Sequence, residues 1–233
     1  MGMPRPGILL VGEIHGTVEG PALIGRLACA AAKGGEPITI ALEIPEKEQA
    51  SIDRYMNGSG SAAERLSLLN GSFWQRSSQD GRSSTAMLDL IERLRTIRSR
   101  HPKLRVATIE QRIDGSRDVG MATWIRATHD QGSTALIALL GNGHASKAKG
   151  SLRRPEYEPA GYLLRDLEPS AVYIAARRWN AWACTPSCGI SRLSGRRLPN
   201  GAAGFLNGTD HVRGYDGVYA IGDTTPSMPA KGD

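Results

Sequence analysis

No apolar run in this sequence approaches the ~20 residues that a membrane-spanning helix needs; runs such as Ala135–Leu140 fall far short. The first residues, MGMPRPG, contain no apolar stretch of signal-peptide type. A strand begins almost at once, as in a mature form whose leader has been trimmed. The compartment stays open, with export or a periplasmic place if a leader was removed. There is no basic tail and no basic run interleaved with aromatics. The 29 basic and 23 acidic side chains, net +6, are mixed along the chain. That pattern describes a solvated surface and argues against a nucleic-acid partner.

Cysteine is scarce, with three in the chain. Cys29 falls on an apolar helical stripe and reads as a core thiol. Cys184 and Cys188 form C-x3-C in a loop-like segment, either a disulfide in an exported protein or two unremarkable thiols. Zinc would need two further ligands, and no second cysteine pair supplies them. The sequence has no G-x-S-x-G elbow, no H-E-x-x-H and no P-loop, which argues against a serine hydrolase, a zincin and a P-loop NTPase. Gly58, Gly60 and Ala63 formally fit a dinucleotide fingerprint, but no strand precedes them. Internal repeats and low-complexity tracts are absent.

What is present is an alternation of short apolar runs and helical patterns. The 233 residues, 40% hydrophobic and 22% charged, suffice for one globular domain with a sizeable core. Strands are expected at Ile8–Val11, Ile38–Leu42, Val106–Ile109, Thr134–Leu140, Val172–Ala175 and Gly217–Ile221. Between them, helical spacing appears after Gly20–Pro21, after Pro45, around Ala63–Leu69, from Thr85, over 117–129 and around Gly161–Leu167. Strands separated by helices imply parallel pairing, and unbroken apolar runs fit strands covered on both faces. The expected fold is therefore α/β, a largely parallel sheet flanked by helices in one domain. Its core is 8–178; residues 179–214, rich in Gly, Pro and Arg, are expected to be irregular loops before a last strand.

The chemistry-bearing residues collect at strand ends. Strand one runs into Glu13 and His15, strand two into Glu43, strand three into Glu110, and strand four into GNGHA with His144. In an open parallel sheet these ends share one edge, where ligands bind. Gly12, Gly16, Gly141 and Gly143 would allow tight turns and close approach there. Two imidazoles and several carboxylates suit two routes. One is a divalent metal such as zinc or manganese held by Glu13, His15, Glu43 and His144, generating hydroxide and polarising a carbonyl. The other is metal-free hydrolysis, with His15 or His144 as base and a glutamate orienting it. Arg117 opens a helix, where a cation opposes the helix dipole, which hints at a task such as stabilising an oxyanion. The polar stretch FWQRSSQDGRSS places Phe73, Trp74, Asp80 and Arg82 either in a lid that touches substrate or in a surface loop with Trp74 in the core. His101, His129 and His211 read as surface or loop residues.

The blocks LLVGEIHGTVEGP, ALEIP, RDVGMATWI and GNGHA, in this order over residues 8–178, resemble the superfamily that joins erythromycin esterase, the ChaN haem-binding lipoproteins, the Tiki proteases and the TraB proteins. YDGVYAIG resembles the terminal strand of that group. The resemblance implies a site at the strand ends of an α/β sheet, with His15 as base, Glu43 as the second-strand acid, Arg117 as the helix-start arginine and His144 as the glycine-loop histidine. It implies a hydrolase of an ester or amide, of esterase or metal-dependent peptidase type, acting on a small molecule or a peptide. The alternative it implies is a non-catalytic haem or iron carrier, with haem held between subunits of a homodimer.

Overall fold

The first apolar run forms β1 (Gly7–Glu13), buried along nearly its whole length, in a computed structural model that describes residues 7–131, 135–150, 154–184, 186–195, 198, 202–207 and 212–231. The Gly-Pro pair then falls in the first turn of α1 (Glu19–Ala32), whose Leu23, Ile24 and Ala28 face the core. β2 (Ile38–Pro45) follows, then a 3-10 turn at Glu46–Glu48 and α2 (Gln49–Asn57). Ser61 caps α3 (Ala62–Leu69) in a reciprocal capping box with Glu64. The short α4 (Ser72–Gln75) carries Phe73 and Trp74, and α5 (Thr85–Arg98) is capped by the Ser84 hydroxyl. Next come β3 (Leu104–Glu110), α6 (Arg117–Asp130) with Ser116 as its cap, β4 (Ala135–Gly141) and the one-turn helices α7 (Asn142–Ala145) and α8 (Ala160–Leu163). The helix expected over Gly161–Leu167 is thus split into α8 and a 3-10 turn ending at Glu168, which adopts a left-handed conformation (φ 48°). Thr134, expected to open the fourth strand, and His211, expected on the surface or in a loop, lie outside the described residues.

The sheet order is β3-β2-β4-β1 and then β5 (Ser170–Cys184), which also pairs with β6 (Cys188–Leu193); it ends with β8 (Gly217–Asp223) and β7 (Gly204–Asn207), in that spatial order. All pairings among β1 to β5 and between β5 and β8 are parallel; β6 and β7 add antiparallel. The mostly parallel sheet is as expected. Two groups of helices cover it, α1 with α5 and α6 with α8. Among the described residues no helix is long and apolar enough to cross a membrane.

The expectation of irregular loops over 179–214 is corrected. β5 runs past Ala175 to Cys184, turns back as β6 and is closed by a Cys184–Cys188 disulfide, while β7 adds an edge. Only one side of this hairpin is fully buried, through Trp179 and Ala181. Its apolar alternation is therefore weak beside the many arginines and glycines, and backbone pairing with β6 holds it instead. Cys29, expected in the core, is a free thiol that is only half-buried.

After β8 the chain continues as an extended strap over residues 224–230. Ser227 N–H donates to Gly16 O at 2.8 Å and Ala230 N–H to Ser83 O at 2.9 Å. Thr85 N–H returns a bond to Met228 O at 2.8 Å, and Ala86 N–H donates to Ser227 Oγ at 2.9 Å. The strap thereby ties the turn after β1 to the start of α5.

Candidate functional site

Parallel register brings the strand ends level, with Glu13 opposite Gly141 at the ends of β1 and β4. Glu13 and Glu43 keep only 4% and 3% of their surface exposed. His15 stands between them: its Nδ1 is 3.0 Å from Glu13 Oε1 and its Nε2 is 3.5 Å from Glu43 Oε2. The same Glu43 oxygen accepts the Gly141 N–H at 2.8 Å. Its other oxygen pairs with Arg117 and, at 3.5 Å, with Arg82 Nη1. Glu110, ending β3, bridges both guanidinium groups. Arg82 Nη1 lies 2.5 Å from one oxygen, and Arg117 Nε lies 2.8 Å from the other in an ion pair without hydrogen-bond alignment. Asp80 holds Arg82 from outside, 2.9 Å from Nη2.

A second histidine–carboxylate pair faces the same cleft. His144, in α7, has its Nδ1 2.7 Å from Asp118 Oδ1. That oxygen also accepts the Ala160 N–H at 2.8 Å, and the Tyr157 hydroxyl donates to Asp118 Oδ2 at 3.1 Å. Gly141 is the meeting point of the two pairs. A Cβ there would lie 2.9 Å from His15 Nε2 and 3.5 Å from both Glu43 Oε2 and His144 Cδ2. The cleft has a volume of about 290 Å³ and is lined by His15, Glu43, Asp80, Arg82, Arg117 and His144.

The electrostatics differ sharply among these groups. Burial alone would disfavour the His15 imidazolium. The charge of Glu43, then the hydrogen bonds that His15 donates to Glu13 and Glu43, overcome it and raise the His15 pKa to about 10. Burial likewise opposes the Glu43 carboxylate, but His15, His144 and Arg117 outweigh it and hold its pKa well below the ordinary range. Glu13 goes the other way: burial raises its pKa, its contacts with His15 notwithstanding. Its Oε2 is buried without a hydrogen-bond partner among the described residues and lies where a Cβ on Gly20 would be, 1.8 Å away. Burial also raises the Tyr157 hydroxyl, with the Asp118 charge adding to it, so it remains a neutral donor.

The structure brings together Glu13, His15, Glu43, Glu110, Arg117 and His144, with Asp80 and Arg82 at the mouth. Trp74 does not reach the cleft. It is fully buried in α4 with its ring edge-on to Phe73 at 5.0 Å, so of the two readings of that stretch the core one holds for Trp74. Arg117 opens α6 because two carboxylates on neighbouring strand ends, Glu43 and Glu110, compensate it there. Asp118 and Tyr157 were not anticipated. Asp118 comes directly after Arg117 and reads as an ordinary first-turn acid, and nothing in the chain near Tyr157 points to the cleft.

Most donors of the cleft are engaged by one another. Both His15 nitrogens face carboxylates, both Glu43 oxygens are taken by an N–H and two guanidinium groups, and His144 Nδ1 is committed to Asp118. Among the described residues no group of three or more His, Cys, Asp or Glu side chains is arranged to hold a metal.

No protein-family model matches this sequence, and no curated protein matches it by sequence. Solved structures do match. An erythromycin esterase, EreC in its open conformation, superposes with a TM-score of 0.70 at 9% identity, over 96% of this chain and 92% of that one. The fold resembles an erythromycin esterase. A Bacillus cereus protein gives a TM-score of 0.68 at 12% identity, over 97% of this chain and 90% of that one. A succinoglycan biosynthesis protein gives 0.60 at 10% identity, over 96% and 89%. The α/β fold expected from the motifs is thus shared with these structures.

Proposed function

We propose that the protein is a metal-independent hydrolase of an ester or amide bond, with His144 as general base and His15 and Arg117 as electrophilic support. The observation that carries this reading is the asymmetry between the two histidines. His15 is flanked by a carboxylate on each nitrogen and holds its proton at neutral pH. Asp118 engages His144 through Nδ1 and leaves Nε2 without a protein partner among the described residues. A nitrogen so oriented is suited to take a proton. The base role passes to His144, whereas the family resemblance implies His15.

In this mechanism water between His144 and the substrate gives a proton to Nε2 as its oxygen bonds to the carbonyl carbon. The carbonyl π electrons move to oxygen, and that oxyanion is met by the Arg117 guanidinium, held by Glu43 and Glu110, and stabilised by the nearby charge of the His15 imidazolium, whose two nitrogens stay on Glu13 and Glu43. Collapse restores the carbonyl and breaks the bond to the alkoxide or amine, which takes the proton back from His144. Asp118 holds the imidazole ring and stabilises its charged form; Tyr157 holds Asp118. Support also comes from the fold likeness to an esterase.

The test is turnover of a panel of esters and amides. Wild-type protein dialysed against a chelator should keep its activity, and His144→Gln should lose about 10²- to 10⁴-fold in kcat. Full activity in His144→Gln, or loss of activity on chelation that added metal restores, would sink this reading.

A further inference from the structure

Three backbone segments from distant parts of the chain meet behind the cleft. Gly16, next to His15, has φ +78°, and Gly81, between Asp80 and Arg82, has φ +91°. Both press on Trp182 near the end of β5. A Cβ on Gly16 would lie 2.0 Å from Trp182 O; one on Gly81 would lie 2.8 Å from that same oxygen and 2.7 Å from Gly16 Cα. Only glycine fits either place, for space and for backbone conformation. The junction is also bonded. Trp182 N–H donates to Gly16 O at 2.9 Å, and the indole N–H donates to Gln79 O at 2.8 Å. Just beyond it, the Cys184 sulfur rests 3.1 Å from Gln79 O, and the disulfide to Cys188 closes the hairpin.

We infer that Trp182 is a positioning residue for the cleft, fixing the loop that carries His15 against the loop that carries Arg82. The two loops reach Glu43 from different sides, His15 at 3.5 Å from one oxygen and Arg82 at 3.5 Å from the other. Neither loop bonds Glu43 through its backbone, so the relative place of the two cations depends on what joins the loops behind them. Trp182 does so with one backbone N–H, one carbonyl packed against two glycines and one indole N–H. This rests on the proposed hydrolase reading for its kinetic consequence and on geometry alone for its structural one.

The test compares wild-type protein with Trp182→Phe, which keeps an aromatic ring but removes the indole N–H and part of the ring system, and with Gly81→Ala, which forces the junction apart. The readouts are kcat and KM on an ester that wild type hydrolyses, the ring-proton NMR signals of His15, His101 and His129 at fixed pH, and the melting temperature. In Trp182→Phe, kcat should fall about tenfold with KM within about twofold. The His15 signal should move while those of the remote His101 and His129 stay. Gly81→Ala should shift the His15 signal further. An unchanged kcat with an unmoved His15 signal in Trp182→Phe would overturn the inference, as would a loss of activity that only tracks the folded fraction. If wild type hydrolyses nothing, the hydrolase reading fails, and the His15 signal alone decides the role of Trp182.

Discussion

Glu43 concentrates the electrostatics of the site in one buried side chain, which meets His15, Arg82, Arg117 and the Gly141 N–H. Breaking such a pair is costly because the remaining partner stays buried and uncompensated. This has a signature in stability against pH. The His15 pKa rises from 6.5 to about 10 on folding, so its stabilisation is complete below 6.5 and disappears as pH climbs through about 10. Glu43 is depressed from 4.5, so its contribution is present above 4.5 and is lost only as pH falls through its lower folded value. Between these limits His15 dominates. Melting temperature should therefore decline from about pH 6.5 to about pH 10, and His15→Gln should flatten that decline. A slope equal in variant and wild type would rule the linkage out. Most of these groups were legible in the sequence, because each sits where an apolar run stops: Glu13 and Glu110 end strands, Glu43 lies two residues before the end of β2, and His15 and His144 lie just past strand ends. Asp118 and Tyr157 were not, since their role arises from a contact across 39 residues that no local pattern encodes.

At the scale of elements, β1 to β4 and the longer helices between them declared themselves through apolar runs and 3.6-residue periodicity, because burial on both faces leaves little room for polar positions; the one-turn α4 falls in a stretch read as loop. The β5–β6 hairpin did not. It projects beyond the layered core, so its residues are chosen by pairing and by one covalent link more than by burial. That link spans few residues, with a sequence separation of 4, and a short loop restricts the unfolded chain modestly. Reduction by a dithiol should lower the unfolding free energy by about 2 kcal/mol. Urea titrations with and without reductant measure this; equal midpoints would show that the bridge does not support the fold. At the opposite edge of the sheet, β3 is covered by a side chain. Gln49 accepts from Thr108 N–H at 2.7 Å and donates to Val106 O at 3.0 Å, so the strand is capped against pairing with another chain.

Across the whole molecule, the strand ends that build the site come from the N-terminal part of the chain, and the C-terminal part braces them. The strap over 224–230 is the clearest brace, and its key contact is the Ser227 hydroxyl, which accepts the Ala86 N–H in the first turn of α5 and lies 3.1 Å from Thr85 Oγ1. It serves that helix as a capping acceptor brought from a distant part of the chain. Ser227→Ala should cost about 1 kcal/mol of stability, as loss of a cap does. Denaturant unfolding checks this, and an unchanged midpoint would show that water replaces the hydroxyl without penalty. The strap carries no hydrophobic periodicity, and its bonds to α5 reach across 141 residues of chain, so nothing local announced it.

The place of β4 between β2 and β1 has a bearing on how the protein is made. A nascent chain that has emerged as far as residue 134 already holds Glu13, His15, Glu43, Arg82, Glu110 and Arg117, but not β4, which must lie between β1 and β2. Glu43, Glu110, Arg82 and Arg117 meet on the adjacent strands β2 and β3, whereas the contact from His15 to Glu43 needs β1 and β2 set on either side of β4. A chain truncated before Ala135 therefore lacks the strand that sets His15 opposite Glu43.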